Sequence, residues 1–230
     1  MKLEQYYDQQ WREQGDAVDL RRVQLLLDRV EPGEKVLEIS TGPGLRAVPL
    51  AEKGAQVTGF DVSPVAVERA RAKGVDARQF DPDDGPLPYE DAQFDVVLAD
   101  SSVEHFFYAE RLLGEAIRVL RPAGRLLLLL PNIAHWRYRL WLLFGKFPYL
   151  PNTPTDESHL RFFTLSGARR LLTANGMQIL ETDGYPSLWV SELYPHFLSW
   201  SPLRQLYQWL SRRWPSLFAR DFILVCQKRR

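Results

Sequence analysis

Short apolar runs alternate with helix-like runs between residues 35 and 131, and this alternation most limits the folds open to the chain. The sequences KVLEIS at 35–40, QVTGFD at 56–61, FDVVLAD at 94–100 and RLLLLLP at 125–131 are typical of buried strands. A shorter run, DARQFD at 76–81, fits a further strand. Continuous apolar strands separated by helices indicate a parallel sheet covered by helices on both faces, which is an α/β fold.

The remainder of the chain is less regular. Two further strand-like runs begin at Met177 and Asp221, and both are preceded by stretches rich in Trp, Tyr, Phe and Pro. We predict one domain over 1–230. Its parts are listed here: N-terminal helices at 1–31, a ligand-binding core at 33–131, and insertions at 131–165 and 184–220. We expect the insertions to cover the carboxyl ends of the strands, where open α/β sheets bind ligands.

Composition excludes several classes of protein. Lys plus Arg and Asp plus Glu number 29 each, so no overall charge favours nucleic acid. The single cysteine, Cys226, can form no internal disulfide, which fits a reducing compartment. The N-terminus lacks the apolar segment of a signal peptide, and the longest apolar run, 126–130, is too short to span a bilayer. The expected location is the cytoplasm.

Acidic and glycine residues recur where successive strands end. The turn from Glu38 to Gly44, with a second glycine at Gly42, follows the first strand and allows a ligand close to the backbone. Asp61 ends the second strand, where a carboxylate can accept two hydrogen bonds from a ribose diol. Asp81 ends the third strand, within reach of an adenine amino group. Since the strand ends meet at one crevice, a nucleoside site is indicated.

Each of these features also has a purely structural interpretation. The glycines can simply form a tight turn between strand and helix. Asp61 can cap the helix that begins after Ser63, and Asp81 can begin the turn DPDDG. Only the combination of all of them at successive strand ends favours a binding site.

The runs VLEISTGPG, GFDVSP, FDPDDGPLPYEDAQFDVVLADSSVEHF and RVLRPAGRLLLLLPN resemble the class I S-adenosylmethionine-dependent methyltransferases over residues 33–131. The resemblance implies a Rossmann-like, doubly wound sheet of seven strands, mostly parallel, with the last strand antiparallel. It also implies S-adenosylmethionine as the cofactor and S-adenosylhomocysteine as the product. The acceptor is expected to be a small molecule, a lipid or a sugar.

The same resemblance assigns roles to individual residues. It places Asp61 on the ribose hydroxyls, Asp81 at the adenine, and Asp100 and Ser101 near the sulfonium. Three residues, Glu38, Gly42 and Gly44, are expected around the methionine part. Ser40, which stands where the family has its first glycine, completes the expected cofactor-binding set together with Thr41 and Val62.

A hydroxyl acceptor needs a general base, and histidine is the usual candidate near neutral pH. His105 follows the fourth strand and His135 lies in the first insertion, so both are predicted as catalytic, although ordinary hydrogen-bonded roles stay open. Some related quinone O-methyltransferases carry a carboxylate-x-x-Glu-His metal site at this position. Because Ser101 replaces the first carboxylate, we predict no metal.

Two alternatives remain at this stage. The stretches 131–148 and 152–172 resemble the MetW methionine-biosynthesis methyltransferase-like family, which implies a cofactor-binding subunit that supports a partner acyltransferase. The turn GPGLRA also imitates a nicotinamide-binding pattern, although Glu38 and Asp81 disfavour it.

Aromatic residues of the first insertion, notably Trp136, can line an acceptor pocket or form a small core. An apolar helical stripe around Tyr207 is expected to pack on the sheet, with peripheral membrane contact as its alternative.

Overall fold

A sheet of seven strands forms the centre of the molecule. The computed structural model describes residues 3–13, 20–186 and 201–229. The strands are β1 (Lys35–Ile39), β2 (Gln56–Asp61), β3 (Asp76–Gln79), β4 (Phe94–Asp100), β5 (Leu120–Pro131), β6 (Met177–Tyr185) and β7 (Asp221–Lys228). The helices are α1 (Leu3–Glu13), α2 (Leu20–Leu27), α3 (Ala47–Glu52), α4 (Pro64–Ala72), α5 (Ala109–Val119), α6 (Trp136–Leu143), α7 (Leu165–Ala174), α8 (Ser201–Arg213) and α9 (Pro215–Phe218).

The strands lie in the order β3-β2-β1-β4-β5-β7-β6. The pairs among β1 to β5 are parallel, whereas β7 runs antiparallel to both β5 and β6. The predicted seven-stranded, mostly parallel sheet with an antiparallel last strand is therefore confirmed. The chain leaves β1 towards β2 on one side and later returns to β4 on the other. This reversal of strand order opens a crevice at the carboxyl end of β1.

Both faces of the central strands are buried, which explains why β1, β4 and β5 have apolar residues at consecutive positions. Leu37 and Leu128 pack in a core with residues of α5 and α7. Their neighbours Val36 and Leu127 face the opposite side and pack with residues of α2 and α3. Successive side chains of a strand point to opposite faces, so a sheet covered on both sides buries all of them.

Some boundaries differ from the sequence prediction. β3 ends at Gln79, so Asp81 lies beyond the strand rather than at its end. The predicted strand at 125–131 begins earlier in the structure, because β5 also includes residues 120–124, where the pairing with β4 shifts register and Ala123 has a positive φ of 61°. Parts of the predicted N-terminal helical segment (14–19) and of the second insertion (187–200) lie outside the described residues.

Candidate functional site

A cavity of about 290 Å³ lies at the crevice, a volume near the lower end for small-molecule sites. It is lined by six of the predicted site residues, namely Ser40, Asp61, Val62, Asp100, Ser101 and His105. The other six are not among its lining residues: Glu38, Thr41, Gly42, Gly44, Asp81 and His135. The fold therefore brings together the ends of β1, β2 and β4, but it keeps part of the predicted set behind the cavity wall or away from it.

The turn after β1 requires glycine for two separate reasons. Gly42 and Gly44 have positive φ values of 55° and 78°, which residues with side chains rarely adopt. A Cβ at Gly42 would lie 3.0 Å from the ring of Trp11, and one at Gly44 would lie 3.1 Å from Val75. Ser40, in the cavity wall, also has a positive φ of 52°. Backbone strain of this kind is common at functional sites.

Glu38 lies beneath the cavity and holds this turn together. Its carboxylate is fully buried and accepts hydrogen bonds of 2.6 Å from both the Thr41 hydroxyl and the Arg46 guanidinium. Burial raises the pKa of Glu38, and Arg46 opposes that rise. Arg46 also lies 3.4 Å from Asp100 and donates to the Ser40 carbonyl at 2.8 Å. Arg46 lines the cavity, yet no pattern in the sequence marks it.

Asp61 faces the cavity with a carboxylate that is already fixed in place. Its two oxygens accept 2.9 Å hydrogen bonds from the backbone N–H groups of Gly42 and Ser63. Burial raises the pKa of Asp61 to about 6 despite these two bonds. Each carboxylate oxygen retains capacity for a further donor, so the geometry allows both a structural role and a bond to a ligand hydroxyl.

Ser101, at the end of β4, carries a second indication of a ligand. Its φ is 47°, again in the left-handed region. Its hydroxyl is buried in the cavity wall and has no hydrogen-bond partner among the described residues. Buried hydroxyls are normally satisfied, so an orphaned one beside a cavity favours a polar ligand there.

Asp81 lies apart from the cavity lining. Its carboxylate accepts a 2.9 Å hydrogen bond from the backbone N–H of Asp83, as expected for a residue that begins a turn. Burial raises its pKa. The structural interpretation of this residue accounts for its position, and its role at an adenine stays a prediction.

Glu104, His105 and His159 also line the cavity and lie close together, and we call these three residues the acceptor cluster. Their ligand-forming atoms lie within 4.8 Å of one another. Burial lowers the pKa of His105 to about 4, with His159 adding to the effect, and burial also lowers the pKa of His159. Both imidazoles are therefore neutral near pH 7. The sequence suggests His105, whereas His159 arrives from the segment between α6 and α7.

His135 occupies a different place from the one predicted. It is buried, it caps the start of α6, and its Nε2 lies 2.9 Å from the Tyr207 hydroxyl. The indole N–H of Trp136 donates to the same hydroxyl at 3.2 Å. Neither residue lines the cavity. These contacts fasten α6 to α8, so the position of His135 gives its predicted catalytic role no support.

The first insertion contributes a polar segment to the cavity instead of its aromatic residues. Asn152, Thr153, Asp156 and Ser158 line the cavity, as does His159. None of the aromatic residues for which a pocket and a small core stayed open is among the lining residues; these are Trp136, Tyr138, Trp141, Phe144, Phe147 and Tyr149. Tyr138 is buried, whereas Phe144 and Tyr149 are largely exposed, so the aromatic composition alone does not distinguish pocket, core and surface.

Helix α1 forms a further wall that the sequence analysis does not assign to the site. Tyr7, Gln10 and Trp11 line the cavity. The helix is fixed to α4, because Arg69 donates to the Trp11 carbonyl at 2.6 Å and the Ser63 hydroxyl donates to Asp8. The pair of tyrosines followed by Trp11 is the only signal in the sequence that could have indicated this wall.

Comparisons with known proteins agree with this geometry. Residues 37–128 match the family model described as a methyltransferase domain. A demethylmenaquinone methyltransferase of Thermus thermophilus is 36% identical over 115 residues, covering 47% of this chain and 51% of the relative. A 27-O-demethylrifamycin SV methyltransferase of Amycolatopsis mediterranei is 39% identical over 103 residues, covering 42% and 38%. The chain thus spans about half the length, or less, of these relatives.

The fold itself is shared over nearly the whole chain. A solved S-adenosylmethionine-dependent methyltransferase from Archaeoglobus fulgidus superposes with a TM-score of 0.67 at 15% identity, covering 99% of this chain and all of that one. Within the described residues, no helix has the length and apolar character needed to cross a membrane. The comparisons do not support the MetW-like alternative. Residues 37–128 therefore match a methyltransferase domain, and the sheet that contains them has the fold of solved S-adenosylmethionine-dependent methyltransferases.

Proposed function

We propose that the chain transfers the methyl group of S-adenosylmethionine to a polar small molecule that bears a hydroxyl or amino group. One observation carries this proposal: a single cavity connects Asp61 and Ser101 to the acceptor cluster. Methyl transfer is an in-line displacement from a sulfonium, so holding donor and acceptor in one cavity supplies much of the rate. A cytoplasmic location is part of the proposal.

The cofactor end of the cavity is suited to a charged nucleoside. Asp61 offers fixed carboxylate oxygens to the ribose diol, and the orphaned hydroxyl of Ser101 offers a polar contact near the end of β4. Asp100, held by Arg46, places a carboxylate on the wall that the positively charged sulfonium would face. The Arg46 guanidinium gives the carboxylate of the methionine part a counter-charge in the same wall.

The acceptor end is strongly polar. Glu104, His159, Asn152 and Thr153 line it, together with Asp221. A hydroxyl acceptor must lose its proton as the methyl group transfers, and the acceptor cluster contains the groups best placed to promote that loss. A lining with this many hydrogen-bond donors and acceptors favours a sugar-like or polyhydroxy acceptor over the apolar, ring-shaped one that the aromatic insertion suggests.

The names of the relatives support a small-molecule acceptor without identifying it. One relative is named for demethylmenaquinone and the other for 27-O-demethylrifamycin SV, two chemically different small molecules. Similarity to both is confined to about half of this chain or less. The acceptor must therefore be inferred from the polar segment at 152–159.

Transfer of label tests this proposal. The purified chain is incubated with methyl-labelled S-adenosylmethionine and with polar and lipid fractions of a bacterial extract, and labelled products are separated by mass spectrometry. We expect label in the polar fraction, with S-adenosylhomocysteine formed in equal amount. Label confined to the lipid fraction would contradict the acceptor class, and no label in either fraction would contradict the activity.

A further inference from the structure

The acceptor cluster has the composition of a metal site. One carboxylate and two imidazoles hold zinc in some metalloproteases and iron in non-haem oxygenases, and both kinds of site leave positions open for a substrate. Glu104 and His105 belong to a 3-10 turn at Val103–His105 after β4, whereas His159 lies between α6 and α7. The fold, rather than the spacing in the sequence, creates this ligand set.

Both histidines are oriented as metal ligands usually are. The Nδ1 atom of His105 lies 3.2 Å from the Ser158 carbonyl oxygen, and the Nδ1 atom of His159 lies 3.2 Å from the Pro154 carbonyl oxygen. A carbonyl oxygen can only accept, so these bonds place the hydrogen of a neutral ring on Nδ1 and leave Nε2 of His159 with the lone pair. The ring of His105 also has a backbone hydrogen bond to Ser101, which an ion would have to replace if Nε2 makes that bond. A bond from the second ring nitrogen to a carbonyl is the usual support of a metal-binding histidine.

The two halves of the cluster are also fastened to each other. The backbone N–H groups of Leu160 and Arg161 both donate to the Glu104 carbonyl, at 2.8 and 3.0 Å. These bonds fix the segment that carries His159 against the turn that carries Glu104. A site whose ligands are held by the backbone loses little entropy when an ion binds.

We propose that Glu104, His105 and His159 bind one divalent transition-metal ion of the zinc type. Metal–ligand distances of about 2.0–2.2 Å require ligand atoms to lie within roughly 4 Å of one another. The Nε2 atom of His159 is already 4.0 Å from the nearer Glu104 oxygen. Since the largest separation is 4.8 Å, a side-chain shift of roughly 1 Å would complete the set. The sequence predicts no metal because Ser101 replaces a carboxylate, but His159 supplies the missing third ligand.

The role of the ion rests on the proposed function, although its binding does not. An acceptor hydroxyl that takes an open position on the ion would have a lower pKa and would release its proton to solvent. Its oxygen electron pair would then form the bond to the methyl carbon. The electrons of the broken carbon–sulfur bond return to the sulfur, which leaves neutral S-adenosylhomocysteine.

Metal titration tests the site directly and without the cofactor. Tag-free protein is stripped with a chelator and titrated with Zn²⁺ or with Mg²⁺ in a calorimeter, and retained metal is counted by mass spectrometry after dialysis. We expect one zinc per chain and no comparable magnesium binding. His159→Gln and Glu104→Gln should each weaken zinc binding by about tenfold or more, as for lost support of a metal ligand. The matched control is His135→Gln, a buried histidine outside the cavity, which should keep the zinc affinity.

The outcomes separate this inference from the proposed function. Absence of stoichiometric zinc, or equal zinc affinity in His159→Gln and the native chain, would overturn the metal site. If Glu104→Gln does not fold, His159→Gln alone decides. Full label transfer by zinc-free protein would overturn the role of the ion in the reaction while leaving the methyltransferase activity intact. Stoichiometric zinc lost in His159→Gln, with no label transfer, would support the site and contradict the function.

Discussion

Replacing Glu38 with Ala is expected to lower the free energy of unfolding by about 3 kcal/mol, the range for removing one partner of a buried ion pair. The side chain is fully buried, and its loss deprives the Thr41 hydroxyl and the Arg46 guanidinium of their 2.6 Å acceptors. Chemical denaturation at pH 7 measures the change through the shift in midpoint.

Glu34→Ala is the matched control for this variant. Glu34 pairs with Arg125 at 2.6 Å, but both side chains are partly exposed, at 17% and 25%. We expect a loss of about 1 kcal/mol or less, since solvent screens such pairs. Equal losses of unfolding free energy in the two variants would show that the Glu38–Arg46 pair stabilises the fold no more than the partly exposed Glu34–Arg125 pair does.

Asp61→Ala is expected to weaken S-adenosylhomocysteine binding by about 1.5–3 kcal/mol, the range for hydrogen bonds to a charged group. That range corresponds to an affinity roughly 10-fold to 150-fold lower. The variant also removes the carboxylate that accepts hydrogen bonds from the backbone N–H groups of Gly42 and Ser63. The free energy of unfolding should therefore fall as well, which would not be expected if Asp61 served only to bind the ligand. Calorimetric titration of the folded variant measures the binding loss.

The matched control is Asp76→Ala. Asp76 begins β3, accepts a 3.3 Å hydrogen bond from the Thr58 hydroxyl, and does not line the cavity. The control also removes one negative charge and should leave the affinity within about twofold. If Asp76→Ala weakens binding as much as Asp61→Ala does, the ribose role of Asp61 is wrong.

The pH dependence of binding supplies a second test of Asp61. With a pKa of about 6, the carboxyl is mostly protonated at pH 5, so affinity should be about tenfold lower at pH 5 than at pH 7. Between pH 4 and 6 the native state holds this proton and the unfolded state does not. The contribution of Asp61 to stability therefore falls as pH rises, opposite to the trend in affinity. Unchanged affinity at pH 5 would contradict a charged ribose contact.

The fold follows from the sequence because its signals are local and repeated. β1, β2 and β4 are short, largely apolar runs bounded by a turn or a helix, and Ser63 with its following proline marks the start of α4. Asp61 could likewise be placed in the crevice, since its position depends only on the end of a strand. Such features need no knowledge of distant contacts.

The acceptor end could not be predicted in the same way. His159 approaches Glu104 because backbone bonds from Leu160 and Arg161 fold one segment onto another, and no spacing in the sequence records this. Arg46 reaches two carboxylates through a long flexible side chain. His135 carries the same residue type as His105, yet its contact with Tyr207 draws it into the packing of α6 on α8.

The central claim is that the cavity binds S-adenosylmethionine and its product, S-adenosylhomocysteine. Calorimetric titration of the native chain with S-adenosylhomocysteine, and separately with NAD, tests it most directly. We predict stoichiometric binding of S-adenosylhomocysteine, which also raises the melting temperature as a ligand of the native state should, and no binding of NAD. Tight binding of NAD without binding of S-adenosylhomocysteine would contradict the account.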